Sequence, residues 1–243
     1  MRFQYVKIIL TSLFVIPAFL NVAEAEILNA NIKKFTINFG VTRIIYNSNY
    51  PSAEIQVENP QEYPILIQSE VFDEDKHNKA PFIVTPPLLK LDEKQKVTLK
   101  IIKKNAEINM NQESLYWFCV KGIPPLDNID KENHHKSELN VNLSISSCNK
   151  LIYRPSILSG TPENDAGKIS WRKEGNKLIV SNPTPYYMNF YSIFINGHEV
   201  SRDKIDYISP YSNQEVMLPK AKRVEWKVIT DYGGESQLFS SDI

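Results

Sequence analysis

Apolar residues in this chain recur at every second position, in short runs broken by Pro, Asn, Asp and Gly, and that period decides the fold class. A spacing of two puts alternate side chains on opposite faces of an extended strand, whereas a helix needs apolar residues three and four apart. Phe35, Ile37 and Phe39 alternate with polar partners, and Ile44-Ile45-Tyr46 follows Arg43. Ala53, Ile55 and Val57 alternate ahead of Asn59-Pro60. Ile65 and Ile67 then lead, after Gln68 and Ser69, to Val71. Val97, Leu99 and Ile101 follow a charged turn, and Leu115 to Val120 is a dense run holding Tyr116, Trp117 and Cys119. Leu139 to Tyr153 reads as one long strand. Short strands at this density over roughly 125 residues predict a β-sandwich of immunoglobulin type.

A second unit follows. Arg154-Pro155 closes the first, and Pro155 and Pro162 bracket a stretch with Gly160 that reads as a linker. Strand-like runs resume at Lys168-Ile169-Ser170-Trp171 and continue through 177–180, 188–195, 214–218 and 224–229, with Asn196-Gly197 as a hairpin turn signal. The chain is therefore expected to be all-β, with one sandwich over 26–155 and a second over 156–243.

The first 25 residues read as an address rather than as structure. Arg2 and Lys7 supply a positive start, an apolar run extends from Ile8 to Leu20, and Ala23-Glu24-Ala25 gives a small-x-small cleavage signature. This is the pattern of a secretory signal peptide; the apolar run is shorter than the roughly 20 residues of a spanning helix. The mature chain is expected to begin near Glu26 and to be soluble. Export places Cys119 and Cys148 in an oxidising compartment, where they are expected to pair; two buried free thiols are the alternative.

Composition removes several function classes. The 28 basic and 28 acidic residues give zero net charge, which argues against a nucleic-acid binder. No nucleophile elbow, phosphate loop, dinucleotide fingerprint or zinc-protease motif is present, so no catalytic residue is assigned and no cofactor is expected. Of the four histidines, His134 and His135 stand together in the polar stretch 124–137, where a solvated loop is the expectation over a metal site. His77 and His198 lie in turns and read as surface.

The segment most open to a functional reading is Leu139 to Lys150. Leu139, Val141, Leu143 and Ile145 are apolar at strict period two, separated by Asn140, Asn142 and Ser144. The expected strand carries this stripe with Lys150 on the same face at its far end and Cys148 on the other. The bland alternative is an ordinary core strand with a solvated lysine.

Several motifs, in order along the chain, carry a resemblance. Val41-Thr42-Arg43-Ile44-Ile45-Tyr46, then Pro81-Phe82-Ile83-Val84-Thr85-Pro86-Pro87 with Leu91 and Gln95, resemble segments of the periplasmic PapD-like pilus chaperones. So do Glu113-Ser114-Leu115-Tyr116-Trp117 with 120–125, the run 150–155, and Asn182-Pro183-Thr184-Pro185-Tyr186-Tyr187. The long polar stretch before Leu139, with a cysteine on each flanking strand, resembles the subfamily whose F–G loop is long, which serves thin fibrillar or capsule-like polymers.

The resemblance implies two immunoglobulin-like domains at an angle with a cleft between them, and a non-enzymatic assembly chaperone of the periplasm. Its implied partners are fimbrial or fibrillar subunits and an outer-membrane usher, with self-association expected when the free protein leaves its apolar strand uncovered. By donor-strand complementation, Leu139, Val141, Leu143 and Ile145 would fill the groove of a subunit that lacks its last strand. Arg43 and Lys150 match the family's two cleft cations, which bind the subunit's C-terminal carboxylate. The stretch Phe35, Ile37 and Phe39 is expected to add a second pairing edge. The competing reading, a secreted fibre subunit or adhesin, would require a chain without a final strand and second domain.

Overall fold

The computed structural model describes residues 30–123, 139–217 and 221–243, with backbone alone for 30–34 and 139–142. The first unit is built from β1 (Ala30–Phe35), β2 (Asn38–Phe39), β3 (Arg43–Asn47), β4 (Ala53–Glu58), β5 (Ile65–Phe72), β6 (Phe82–Thr85), β7 (Leu88–Leu91), β8 (Lys96–Lys103), β9 (Ser114–Ile123), β10 (Leu139–Ser144) and β11 (Ser146–Arg154). A five-stranded sheet in the order β3-β11-β9-β5-β7 faces a four-stranded sheet in the order β2-β4-β8-β6. Alternation does what the sequence pattern requires. Ile55 and Val57 of β4, Ile65 and Ile67 of β5, and Leu99 and Ile101 of β8 all point into one apolar core with Phe35, Phe118 and Leu151.

One of the expected strands is continuous and another is not. Gln68 and Ser69 do not interrupt β5, because Ser69 takes the inward position of the alternation and is buried among the apolar residues. The long strand expected over 139–153 is instead divided at Ile145, where its lateral partner changes. Below the division β11 pairs in parallel with β3; above it β10 pairs in parallel with β1, from Ala30 opposite Leu139 to Phe35 opposite Ser144. The chain between β1 and β3 has crossed to the other sheet, where β2 pairs with β4. Gly122 permits the crossover: a Cβ at this position would lie 2.5 Å from the Phe35 carbonyl oxygen.

The second unit holds a helical turn α1 (Pro162–Asp165) and strands β12 (Ser170–Glu174), β13 (Lys177–Asn182), β14 (Met188–Ile195), β15 (His198–Glu199), β16 (Tyr207–Ile208), β17 (Ser212–Met217), β18 (Arg223–Val228) and β19 (Phe239–Asp242). β12-β13-β17 form one sheet and β15-β14-β18-β19, with β16 against β14, the other. Trp171, Leu178, Met188, Phe190 and Trp226 fill a separate core. The Asn196-Gly197 turn has φ of 51° and 80°, the two positive values that a tight hairpin needs. The chain is thus two immunoglobulin-like sandwiches, with Leu115 and Ile152 of the first meeting Tyr187 of the second in a small apolar cluster at their junction.

Each sandwich repeats one polar device. Asn59 and Asn182, each followed by Pro, are buried at the end of a strand. The Nδ2 of each donates to the carbonyl four residues on, Tyr63 at 2.8 Å and Tyr186 at 2.7 Å. The Oδ1 of each accepts the N–H two residues on, from Gln61 and Thr184. A buried amide so satisfied fixes the turn without leaving a polar orphan.

Candidate functional site

Strand β11 is the spine of the junction. Its parallel register with β3 sets Lys150 beside Arg43, and its antiparallel register with β9 sets Lys150 beside Trp117 and Cys148 beside Cys119. Cys148, Lys150, Ile152 and Arg154 occupy one face, toward the second sandwich, while Leu151 and Tyr153 occupy the face that enters the core. Cys119 and Cys148 are joined in a disulfide, with their Cα atoms 4.1 Å apart.

The two cations are inequivalent. The Lys150 side chain is 12% exposed and its ammonium pairs with Asp206 across the cleft. It also donates to Asn189 Oδ1 at 2.7 Å and sits 4.5 Å from the centre of the Tyr207 ring. Burial pulls its pKa below the ordinary lysine value, against the opposing pull of Asp206. Arg43 is 8% exposed, and its Nε is buried with no hydrogen-bond partner among the described residues. Burial draws its pKa down too, while the more distant carboxylates of Asp231, Asp206 and Glu113 pull it up. A guanidinium with unspent donors beside an ammonium is a site for a planar anion, and a carboxylate matches the guanidinium fork.

Arg154 locks the two sandwiches together. Its Nε donates to Glu113 Oε1 at 2.6 Å, and its two terminal nitrogens grip Asp231 at 2.5 and 2.7 Å. Burial works against the guanidinium, but Asp231 and Glu113 outweigh it and hold the pKa above the ordinary arginine value. Glu113 is fully buried, and burial pushes its carboxyl up to about 7 in spite of Arg154. The turn after Asp231 comes so close that a Cβ on Gly233 would lie 2.6 Å from Thr42 Oγ1.

A third carboxylate reaches the junction from the turn between β5 and β6. Glu74 accepts the hydroxyls of Tyr187 at 3.0 Å and Tyr207 at 3.1 Å, while its carbonyl accepts Trp117 Nε1–H at 2.9 Å. Burial first, then the Glu74 charge, pushes the Tyr207 phenol up to about 12 and Tyr187 higher still. Lys76, from the same turn, lies 3.7 Å over the Trp117 ring.

Beyond the cleft, the apolar stripe is divided in what can be said of it. Leu143 is 43% and Ile145 36% exposed, large aliphatic side chains facing out of the fold. The side chains of Leu139 and Val141, the signal segment and the His134-His135 pair lie outside the described residues. One expectation is corrected by parity. Ile145 and Lys150 are separated by an odd number of positions, so Leu143 and Ile145 belong with Leu151 and Tyr153 on the core face and not with Lys150. Leu143 and Ile145 carry the sandwich's own core row past its rim.

The stretch Phe35, Ile37 and Phe39 gives most of its side chains to the first sandwich. Phe35 and Ile37 are buried in the core of the first sandwich, and Phe39 packs edge-on to Phe118 with ring centres 5.9 Å apart. The side chains of Phe35 and Ile37 are thus committed to the fold, while Phe39 is half-buried, so a second pairing edge here would be made by backbone. The segment beside the stripe is β1, whose backbone runs along β10 up to the Ile145 N–H bond to the Phe35 carbonyl, 3.2 Å.

The cleft cations, the stripe and the cysteines were legible in advance; Asp206, Asn189 and Glu74 were not. These three come from loops or strand ends whose charged and amide residues follow no spacing rule, and only the packing of one sandwich against the other brings Asp206 and Asn189 to Lys150 and Glu74 to Tyr187 and Tyr207.

Comparison with known proteins agrees with this architecture. The pili and flagellar-assembly chaperone family, PapD N-terminal domain, matches residues 36–159, and the pili assembly chaperone PapD C-terminal domain matches residues 164–240. The chaperone protein AggD of Escherichia coli is 39% identical over 234 residues, covering 93% of this chain and 92% of that one. The chaperone protein PsaB of Yersinia pestis is 38% identical over 242 residues, covering 91% and 89%. The crystal structure of the E. coli chaperone DraB superposes with a TM-score of 0.80 at 44% identity, over 88% of this chain and all of that one (100%). A chain in the structure of the Salmonella enterica SafA pilin in complex with the SafB chaperone matches with a TM-score of 0.80 at 41% identity, over 89% and 100%. These relatives are named as chaperones and not as enzymes. With both of its sandwiches matched in order, this chain belongs to the PapD-like family of pilus-assembly chaperones.

Proposed function

We propose that this chain is a periplasmic chaperone that holds a fimbrial or fibrillar subunit by donor-strand complementation and passes it to an outer-membrane usher. Residues 1–25 would be removed on export, leaving chaperone domains over 26–155 and 156–243. The SafA–SafB complex, in which a relative binds a pilin, supports a subunit as client. The observation that carries the reading is the pairing of a buried Arg43, its Nε unpartnered, with Lys150 on the extended run of β10 and β11 that also holds out Leu143 and Ile145.

Each end of that strand does one thing. The apolar row, Leu139, Val141, Leu143 and Ile145, would fill the client's open groove, each aliphatic side chain contributing up to about 1.5–3 kcal/mol on full burial. Arg43 and Lys150 would bind the client's C-terminal carboxylate and so fix the register, which an apolar row alone leaves free to slip by two residues. Shielding the row also protects the client's unpaired strand edges from aggregation.

The test is capture of the cognate subunit on co-expression in the periplasm. Arg43→Ala with Lys150→Ala is expected to leave a folded chaperone that recovers no subunit; normal recovery would reject the cleft as the anchor. The fibre-subunit reading has no support in relatives that are named chaperones over nine-tenths of the chain.

A further inference from the structure

We infer that Asp206 is an internal stand-in for the client's terminal carboxylate: it occupies Lys150 in the free protein and must be displaced when the client docks. The inference rests on the carboxylate-anchoring role given above to Arg43 and Lys150.

The two cations are neighbours in one ladder, yet only one is neutralised. Lys150 holds the Asp206 carboxylate and the Asn189 amide oxygen, whereas the Arg43 side chain makes neither a hydrogen bond nor a contact ion pair among the described residues. The difference follows from how Asp206 is presented. Its carbonyl is tied to the Phe190 N–H at 2.9 Å just before β16, which points the side chain across the cleft at Lys150. The carboxylate itself stays 42% exposed, in a groove it shares with Arg202, Lys204 and Tyr207. It is thus held by its backbone, open to water at its charge, and able to swing away without uncovering a buried anion.

The arrangement gives the site an order of events. An arriving carboxylate meets Arg43 first, because its donors are free. It then competes with Asp206 for Lys150, and the displaced Asp206 has water and the basic groove behind it. An exchange of one carboxylate for another costs less than leaving Lys150 buried and unpaired in the free protein. It also makes the site selective: a neutral C-terminus can offer Lys150 nothing that Asp206 does not already supply.

The experiment titrates the purified protein with acetate at ionic strength held constant by chloride, following the Arg43 Nε–H and Lys150 Nζ resonances by NMR. In the wild type, acetate is expected to shift Arg43 strongly and Lys150 weakly. In Asp206→Asn both should respond together, with acetate bound about fivefold tighter. Acetamide should move neither. Asp206→Glu should restore the wild-type behaviour, which a purely structural defect would not. Unchanged or weaker acetate binding in Asp206→Asn would overturn the stand-in role while leaving the anchor intact. If acetate perturbs neither cation in either protein, the anchoring role and the stand-in fail together. A positive titration with subunit capture unaffected by Arg43→Ala and Lys150→Ala would retain the exchange but detach it from client binding.

Discussion

The carboxylate of Glu113 accepts the backbone N–H of Tyr187 at 2.8 Å, across the junction between the two sandwiches. The same carboxylate takes Arg154 Nε on its other oxygen, and Arg154 in turn holds Asp231 of the second sandwich. Glu74 then takes the Tyr187 hydroxyl. Tyr187 is held at both ends by carboxylates of the first sandwich, with its ring packed against Leu115 and Ile152 between them. The relative setting of the domains, and with it the distance from Arg43 to the second sandwich, depends on this grip.

Glu113 makes stability depend on pH in a direction opposite to the usual carboxylate. Burial raises its folded pKa to about 7, above the ordinary glutamate value of 4.5, so the fold favours its protonated form. The stabilisation is complete below the unfolded pKa and is lost as pH rises through about 7. That gap corresponds to about 3 kcal/mol. Glu113→Gln, which stays neutral, should remove this slope. Urea midpoints of the two proteins at pH 4.5 and 7.5 should therefore change in relation to each other by about that amount, about 3 kcal/mol. A constant offset between them would show that Arg154 keeps Glu113 ionised throughout.

The Cys119–Cys148 bridge ties the spine strand to β9 at a directly opposed pair, closing a sequence separation of 29. Replacing both residues by serine should lower stability by about 3–4 kcal/mol. Because the bond lies between the stripe and Lys150, the loss should be larger for subunit capture than for the cleft chemistry. Capture should drop under reducing conditions in the wild type and be insensitive to reductant in the double variant. Equal capture by all three would dissociate the bridge from function.

Glu74 should control domain setting more than fold. Its turn is exposed, but its side chain bonds two tyrosines of the second sandwich and its carbonyl bonds Trp117. Glu74→Ala should leave the thermal midpoint within a few degrees, the cost of about 1 kcal/mol in lost hydrogen bonds. It should change Trp117 emission and widen the spread of interdomain distances seen by small-angle scattering. An unaltered scattering profile would assign the whole grip to Glu113 and Arg154.

How far the sequence reached can be read strand by strand. Strict alternation found β4, β8 and both halves of the spine, because burial on one sheet face is a local property of spacing. It failed at Ile145, where the strand continues but its neighbour changes. A change of ladder partner leaves no mark on the residues of the strand itself. Arg43 and Lys150 were found through motifs, since both lie on strands. The side chains of Asp206 and Glu74 act from turns more than fifty positions from Lys150 and from Tyr187 and Tyr207, and no period links them. For Phe35, Ile37 and Phe39 the pattern could not separate side chains facing the core from side chains at an edge; only the opposing sheet shows that Phe35 and Ile37 face inward.

The stripe separates folding from binding most directly. Leu143 is 43% exposed in the free protein, whereas Leu151, further along the same spine, is wholly buried. Leu143→Asp removes little that the free fold uses, so its unfolding free energy should stay within about 0.5 kcal/mol of wild type. Leu151→Asp places a charge in the core and should prevent folding. In the client complex the order reverses: Leu143→Asp would set a carboxylate in an apolar groove, and subunit recovery should fall below detection. Circular dichroism melts of both variants, run beside co-purification with the subunit, separate the two effects. If Leu143→Asp melts with the wild type and still recovers subunit, the outward row is not what the client buries, and the capture surface must lie on β1 instead.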